Sequence, residues 1–149
     1  MAKKITGLQS KGKKIVFTNG VFDLMHAGHV RLLKKAASHG DVLVVGINSD
    51  ASVKSIKGSD RPIVSQNDRA ETLCALYFVD YVVIFDENTP EETILALKPD
   101  THVKGGDWKA KNLPETKIVE SYGGKVVIEN SKCDLTTTKI IARIRGKVE

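Results

Sequence analysis

Short apolar runs that alternate with segments of helical spacing are the feature that most constrains the fold of this chain. Turn residues bound each run, and short apolar runs of this kind are typical of strands that are buried on both faces of a sheet. The predicted strands are Ile15–Thr18, Val42–Asn48, Tyr81–Phe85, Thr101–Lys104 and Lys125–Glu129.

The segments between these strands have apolar residues at helical spacing. Strands that alternate with helices favour a parallel sheet, because right-handed crossovers put the helices on its two faces. We therefore expect one domain over residues 1–149, a Rossmann-like three-layer α/β/α sandwich with a five-stranded parallel sheet. Residues 53–65 and 105–114 are the stretches expected to be mobile. The predicted helices are His29–Ser38, Asn67–Leu76, Pro90–Leu97, Pro114–Tyr122 and Thr137–Ile144.

Composition excludes several classes of protein. Cys74 and Cys133 lack the spacing of a zinc cluster or a disulfide framework, so we expect free thiols in a reducing cytoplasm. No stretch approaches the roughly 20 apolar residues of a membrane span. The net charge of +5 comes with lysines scattered along the whole chain, which suits anionic small molecules as readily as nucleic acid.

The loop after the first strand carries the strongest functional signal. In an open α/β sheet, ligands bind beyond the carboxyl ends of the strands, and a helix that begins there attracts anions. Gly20 and Gly28 would let a nucleotide approach the backbone closely. His26 and His29 are three residues apart at the helix entrance, so both can donate to phosphate oxygens.

Other phosphate and metal motifs are missing. The chain has neither GxxxxGK[ST] nor GxGxxG, which disfavours a Walker-type kinase and a plain dinucleotide binder. His26 and His29 lack the i, i+4 spacing and nearby Glu of a helical zinc site, so no metal site is expected in the protein itself. His39 and His102 are interpreted as structural or solvated.

The segment GVFDLMHAGH resembles the GxFDxxHxGH signature of the HxGH nucleotidyltransferase superfamily, particularly its cytidylyltransferase-like branch. Further segments are similar to the heptose 1-phosphate adenylyltransferases, and they extend the resemblance over nearly the whole chain. These segments are NSDASVKSIKG, RPI, NDRAE, VKGGDW and TTTKIIARI.

The resemblance implies roles for the residues of the first loop. His26 would meet the phosphates where charge develops in the transition state, and His29 would hold the triphosphate. Val21 and Phe22 would contact the nucleotide through their backbone. Asn19, Gly20 and Gly28 complete the nucleotide-binding residues expected in this loop.

Basic residues further along would hold phosphates. The resemblance favours Lys57 as a third catalytic residue, with Lys54 and Arg61 at the substrate. Asp23 is a candidate for the substrate site or for orienting a histidine or the loop, with a helix-proximal cap as the alternative. Arg69 would either contact ligand or pair with a carboxylate of Asp68 or Glu71.

Two later segments complete the expected site. Lys104, Gly105 and Asp107 would bind the nucleotide, and Trp108 would pack on it or shield the core. Thr136, Thr137 and Thr138 open the last helix, where they would bind phosphate, act as an ordinary N-cap, or do both. Lys139 replaces an asparagine that is usual in the family, so no ligand contact is assigned to it.

The resemblance implies transfer of AMP from ATP to a sugar 1-phosphate, with Mg²⁺ bound through the ATP phosphates. A homodimer is expected because it is ordinary for a sheet of this kind. The alternative enzyme is a cytidylyltransferase acting on glycerol 3-phosphate or a related alcohol phosphate. A non-catalytic nucleotide-binding module is the alternative of another class. Nucleic acid is not an expected partner, because aromatic residues make up only 5% of the chain and no RNA-binding motif is present.

Overall fold

A computed structural model describes residues 1–106, 113–130 and 133–146 of the chain. Its strands are β1 Ile15–Gly20, β2 Val42–Asn48, β3 Tyr81–Phe85, β4 Thr101–Gly105 and β5 Lys125–Glu129. They form one parallel sheet in the order β3-β2-β1-β4-β5. All five predicted strands are confirmed, and β1 and β4 extend slightly further than predicted.

Helices connect the strands within the described ranges. No helix in this part of the chain is long and apolar enough to cross a bilayer. The five predicted helices are confirmed with small differences in their bounds. The sequence did not predict α1 or α3. The bounds are α1 Ala2–Gln9, α2 Ala27–Ala37, α3 Asp50–Lys57, α4 Gln66–Cys74, α5 Glu91–Leu97, α6 Pro114–Ser121 and α7 Thr137–Ile144.

Capping explains why α3 forms in a stretch whose composition suggested a loop. The Ser49 hydroxyl accepts a hydrogen bond from the amide of Ser52 at 3.2 Å, which satisfies a free donor of the first turn. Gly58 ends the helix with a φ of 95°, a conformation that costs glycine little. The sequence predicted that Lys54 and Lys57 precede Gly58 in a loop, and this prediction was wrong, because residues 53–57 are helical.

Apolar side chains fill both faces of the sheet, which gives three layers and confirms the predicted fold. One core joins Val16 of β1 to Leu33 and Ala36 of α2. The other joins Phe17 of β1 to Val119 of α6 and also contains the fully buried Ile5 of α1. Burial of Ile5 explains the unpredicted α1, whose few apolar residues give a weak pattern in isolation.

The strand order reverses between β1 and β4, and this position organises the site. The connection from β1 to β2 runs through α2 on one face, whereas the connection from β4 to β5 runs through α6 on the other. The loops that leave β1 and β4 therefore separate, which opens a crevice at the carboxyl edge of the sheet. Asn19 and Lys104 lie at this edge, one on each strand.

Candidate active site

His26 is the N-cap of α2, which begins at Ala27, two residues earlier than predicted. Its Nδ1 accepts a hydrogen bond from the amide of Gly28 at 3.1 Å. An amide can only donate, so Nδ1 carries no proton and the proton of the neutral ring lies on Nε2. The cap therefore leaves His26 with an N–H donor on the far side of its ring.

His26 and His29 stack on each other, with ring centroids 3.8 Å apart and planes 28° apart. Phe22 meets the His29 ring edge-on at 5.2 Å. Burial and the neighbouring His26 lower the pKa of His29 to about 4, and burial lowers the pKa of His26. Both rings are therefore neutral near pH 7, and the stack forms without repulsion between two charges. The two histidines come together as the sequence predicted.

Phe22 holds a strained backbone beside these rings. Its φ is 50°, in the left-handed region that residues other than glycine rarely adopt. The side chain is 4% exposed and belongs to the core on the α2 face, so burial offsets the backbone strain. The backbone at Val21 and Phe22 is thus fixed in the loop where nucleotide contacts were predicted.

Asp23 and Arg61, two candidates for the substrate site, bind each other. The Asp23 carboxylate is fully buried and accepts from Arg61 Nε at 2.6 Å and from the amides of Ile63 and Val64, each at 2.9 Å. Burial raises the pKa of Asp23, but these hydrogen bonds and the Arg61 charge outweigh it, so the pKa is lowered overall. The carboxylate therefore ties two loops together, which agrees with the alternative that Asp23 orients its loop, and substrate contact by Asp23 stays a prediction.

Lys54 and Lys57 lie on the last turn of α3, whereas the sequence suggested a loop. Both side chains are exposed, and neither has a hydrogen bond or ion pair with the described residues. The chain after α3 returns to the His26 loop through the contact between Arg61 and Asp23. Catalysis by Lys57 and substrate binding by Lys54 stay predictions. Arg61 uses its Nε for Asp23, so substrate contact by its other guanidinium nitrogens stays a prediction as well.

Arg69 is a structural residue of the same loops. Its side chain is fully buried, and it donates to the carbonyl oxygens of Val21 at 2.6 Å and Asn48 at 2.9 Å. It also donates to the carbonyl of Val64 at 3.0 Å and pairs with the Asp50 carboxylate at 2.8 Å. The alternative of an ion pair with Asp68 or Glu71 is wrong, because the side chain points into the protein instead of along α4, and ligand contact by Arg69 stays a prediction.

A polar cluster lies at the ends of β1 and β4. Lys104 Nζ donates to Asn19 Oδ1 at 2.9 Å and to Glu115 Oε1 at 3.0 Å. His102 Nε2 lies 3.2 Å from the same Asn19 oxygen, and its ring lies 5.6 Å from that of Phe17. Lys104 was predicted to bind nucleotide, and two of its three N–H groups are already used here. Glu115 was not predicted, because no local pattern links it to β4.

Burial and charge set the protonation of this cluster. Burial, with the Lys104 charge, lowers the pKa of His102 to about 4. Burial raises the pKa of Glu115, but Lys104 and hydrogen bonds outweigh this and lower it overall. At neutral pH the cluster therefore holds one charged pair and a neutral imidazole. His102 is structural, as predicted.

His102 makes stability depend on pH. Its ordinary pKa of 6.5 falls to about 4 in the folded protein, so between these values the unfolded chain binds a proton that the folded chain does not. The contribution of His102 to the free energy of unfolding should be constant above pH 6.5 and decrease by about 1.4 kcal/mol per pH unit between pH 6.5 and about 4. Urea denaturation of the wild type and of His102→Gln, which has no titrating ring, at a series of pH values measures the difference. Parallel curves for the two proteins would refute this prediction.

The threonines at the start of α7 have separate partners. The Thr136 hydroxyl is the N-cap and accepts from the amide of Lys139 at 3.2 Å. The Thr137 hydroxyl donates to the Leu24 carbonyl at 3.3 Å, which joins α7 to the His26 loop. Thr138 is exposed, and Lys139 Nζ donates to the Asp134 carbonyl at 2.8 Å. The N-cap interpretation is confirmed for Thr136, and phosphate binding by the three threonines stays a prediction.

Packing accounts for three glycines of the predicted site. A Cβ at Gly28 would lie 2.9 Å from the His26 ring and 3.1 Å from Cys133 Cβ. At Gly20 it would meet the Phe22 ring at 3.0 Å, and at Gly105 it would meet Leu32 at 2.7 Å. Larger side chains would therefore displace the stacked histidines and the core beneath them. Asp107 and Trp108 lie outside the described residues.

A histidine pair at a helix start, beside the crevice of a parallel α/β sheet, defines the HxGH class of nucleotidyltransferases. The chain belongs to the cytidylyltransferase-like family, whose model matches residues 17–144.

Relatives and solved structures agree with this membership. The chain is 50% identical over 144 residues to the bifunctional protein HldE of Pelobacter propionicus, and 52% identical over 143 residues to that of Campylobacter jejuni subsp. doylei. These matches cover 97% and 96% of this chain, but only 30% of the length of either relative. A lipopolysaccharide core biosynthesis protein from Thermoplasma volcanium has a TM-score of 0.65 at 30% identity, covering 83% of this chain and all of its own. Pantoate-β-alanine ligase from Francisella tularensis, at 16% identity and a TM-score of 0.60, shares the fold over 97% of this chain and 75% of its own.

Proposed function

We propose that this domain transfers AMP from ATP to D-glycero-β-D-manno-heptose 1-phosphate, giving ADP-heptose and pyrophosphate. The observation that carries the proposal is the neutral stacked pair of His26 and His29 at the start of α2. The similarity of the chain to bifunctional HldE proteins and to a lipopolysaccharide core biosynthesis protein supports a heptose phosphate as the acceptor.

The reaction needs alignment more than proton transfer. An oxygen of the sugar phosphate attacks the α-phosphorus of ATP, and the bond to the leaving pyrophosphate breaks on the opposite side. A phosphate monoester loses its second proton at about pH 6, so the nucleophile is anionic without a general base. The Nε2–H of His26 would donate to the phosphate oxygens as charge develops on them.

Divalent metal enters this proposal through the nucleotide. Mg²⁺ bound to the triphosphate would neutralise charge on the leaving pyrophosphate. The described residues contain no group of three or more metal-ligating side chains, so the phosphate oxygens would supply most of its ligands. His29 and the start of α7 would hold the triphosphate on the α2 side of the crevice. A cytoplasmic location and a homodimer remain parts of the proposal that rest on the sequence.

Pyrophosphate release with defined substrate pairs tests the proposal. The purified protein is incubated with Mg²⁺, heptose 1-phosphate and either ATP or CTP, and in a parallel reaction with glycerol 3-phosphate and CTP. We expect release of pyrophosphate and formation of ADP-heptose only with heptose 1-phosphate and ATP. Activity with CTP alone would favour the cytidylyltransferase alternative. Nucleotide binding without turnover of any pair would favour the non-catalytic module.

A further inference from the structure

The polar cluster of Asn19, His102, Lys104 and Glu115 fixes the orientation of one side-chain amide at the crevice. An ammonium group can only donate, so the Asn19 atom facing Lys104 Nζ at 2.9 Å is the amide oxygen. The same oxygen faces His102 Nε2 at 3.2 Å, so this nitrogen must carry the ring proton. Two donors thus share one acceptor, and the amide cannot turn over without breaking both contacts.

This orientation leaves the Asn19 amide nitrogen with both of its N–H groups available. This nitrogen donates to none of the described residues. Asn19 is half-buried and lies at the end of β1, so a ligand in the crevice can reach it. Two buried atoms behind it, His102 Nδ1 and Glu115 Oε2, likewise lack a described partner. Buried polar atoms without a partner are rare in a protein core, so two of them beside an amide with free N–H groups favour a binding site here.

The cluster and the histidine pair lie on opposite faces of the sheet. Side chains alternate along a strand, so Asn19 lies on the same face as Phe17, which packs in the core with α6. His26 and His29 belong to the loop and helix on the α2 face. The triphosphate is proposed on the α2 side, so an acceptor phosphate that meets its α-phosphorus can approach from the β4 side of the crevice, where the sequence suggested nucleotide contacts for Asn19 and Lys104 instead.

We propose that the Asn19 amide donates hydrogen bonds to the phosphate of the sugar phosphate, and that Lys104 and His102 hold the amide in the orientation that permits this. The proposal rests on the proposed function, since it takes the acceptor to be a sugar phosphate. Asn19 is then a substrate-binding residue, whereas Lys104 is a positioning residue that acts through it.

Asn19→Asp separates this role from a structural one. A carboxylate can still accept from Lys104 and His102, so the internal contacts survive, but an anionic oxygen replaces the two donors. We expect the KM for heptose 1-phosphate to rise by about tenfold or more, as for loss of a hydrogen bond to a charged group, with the KM for ATP nearly unchanged. Asn19→Ala should raise the same KM. Asn67→Asp, at an exposed asparagine of α4, is the control for the added charge.

The outcomes distinguish the two proposals. If the wild type neither turns over nor binds heptose 1-phosphate in calorimetry, both proposals are overturned. If the wild type is active and Asn19→Asp keeps both KM values and kcat within about twofold, only the Asn19 proposal fails. A rise in the KM for ATP alone would assign the amide to the nucleotide and overturn it too. If both Asn19 variants fail to unfold cooperatively in thermal melts, the role of Asn19 is structural and the proposal is wrong.

Double variants test the positioning role of Lys104. Lys104→Met is combined with Glu115→Gln, so that no buried carboxylate is left unpaired, and is measured alone and together with Asn19→Ala. If Lys104 acts through Asn19, the combined variant should have nearly the same KM for heptose 1-phosphate as Asn19→Ala alone. If the combined variant instead shows the product of the two separate increases in that KM, Lys104 acts independently of Asn19 and this part of the proposal is overturned.

Discussion

Replacement of His26 by alanine should lower kcat by about 100- to 1000-fold, the loss typical when one preorganised donor to a developing charge is removed. The Nε2–H of His26 is such a donor, because the amide of Gly28 occupies Nδ1. Affinity for ATP should change by less than about threefold, since His29 and the helix start still hold the triphosphate. Steady-state kinetics and calorimetric titration with ATP measure the two quantities.

His26 is also the N-cap of α2, so the alanine substitution should also lower the free energy of unfolding by about 1 kcal/mol. His26→Asn separates the two roles, because asparagine is a good N-cap but lacks the distant N–H donor of the ring. This variant should unfold close to the wild-type midpoint and yet lose kcat nearly as severely as His26→Ala. Equal losses of kcat and ATP affinity in both variants would argue against a role in the transition state.

The sheet and the His26 loop could be predicted because their signals are local. Strands buried on both faces give continuous apolar runs, and the sequence from β1 to α2 is continuous in the chain. The stacking of His26 on His29 follows from their spacing once α2 begins at Ala27. These features depend on neighbours within a few residues, which a single sequence displays directly.

The contacts that complete the site could not be predicted because they join distant segments. Asp23 and Arg61 are 38 residues apart, and Asn19 and Lys104 are 85 apart. A sequence shows that each residue is polar but not which other residue will neutralise it. The sequence therefore left open whether Asp23 contacts substrate or orients its loop, and it did not indicate the contacts with Arg61 and two backbone amides. Only the register of β1 beside β4 brings Asn19 to Lys104.

Arg69 has the largest expected effect on stability. Arg69→Met should lower the free energy of unfolding by about 3–5 kcal/mol, the cost of breaking a buried ion pair by removing one partner. The methionine fills much of the volume, but three carbonyl oxygens lose their donor and the Asp50 carboxylate loses its cation. The substitution removes four contacts at once because the guanidinium links the His26 loop, the end of β2, α3 and the segment that precedes α4.

Denaturation in guanidinium chloride measures this loss, and Arg143→Met on the exposed side of α7 is the matched control, expected to change stability by less than about 0.5 kcal/mol. Asp50→Asn should cost less than Arg69→Met, because the Asp50 side chain is 34% exposed and water can solvate what remains. Arg69 also holds the Val21 carbonyl, so the variant should lose kcat at temperatures where it is still folded. A loss of stability below about 1 kcal/mol would mean that water replaces the guanidinium at the three carbonyls, and that the loops around His26 do not depend on it.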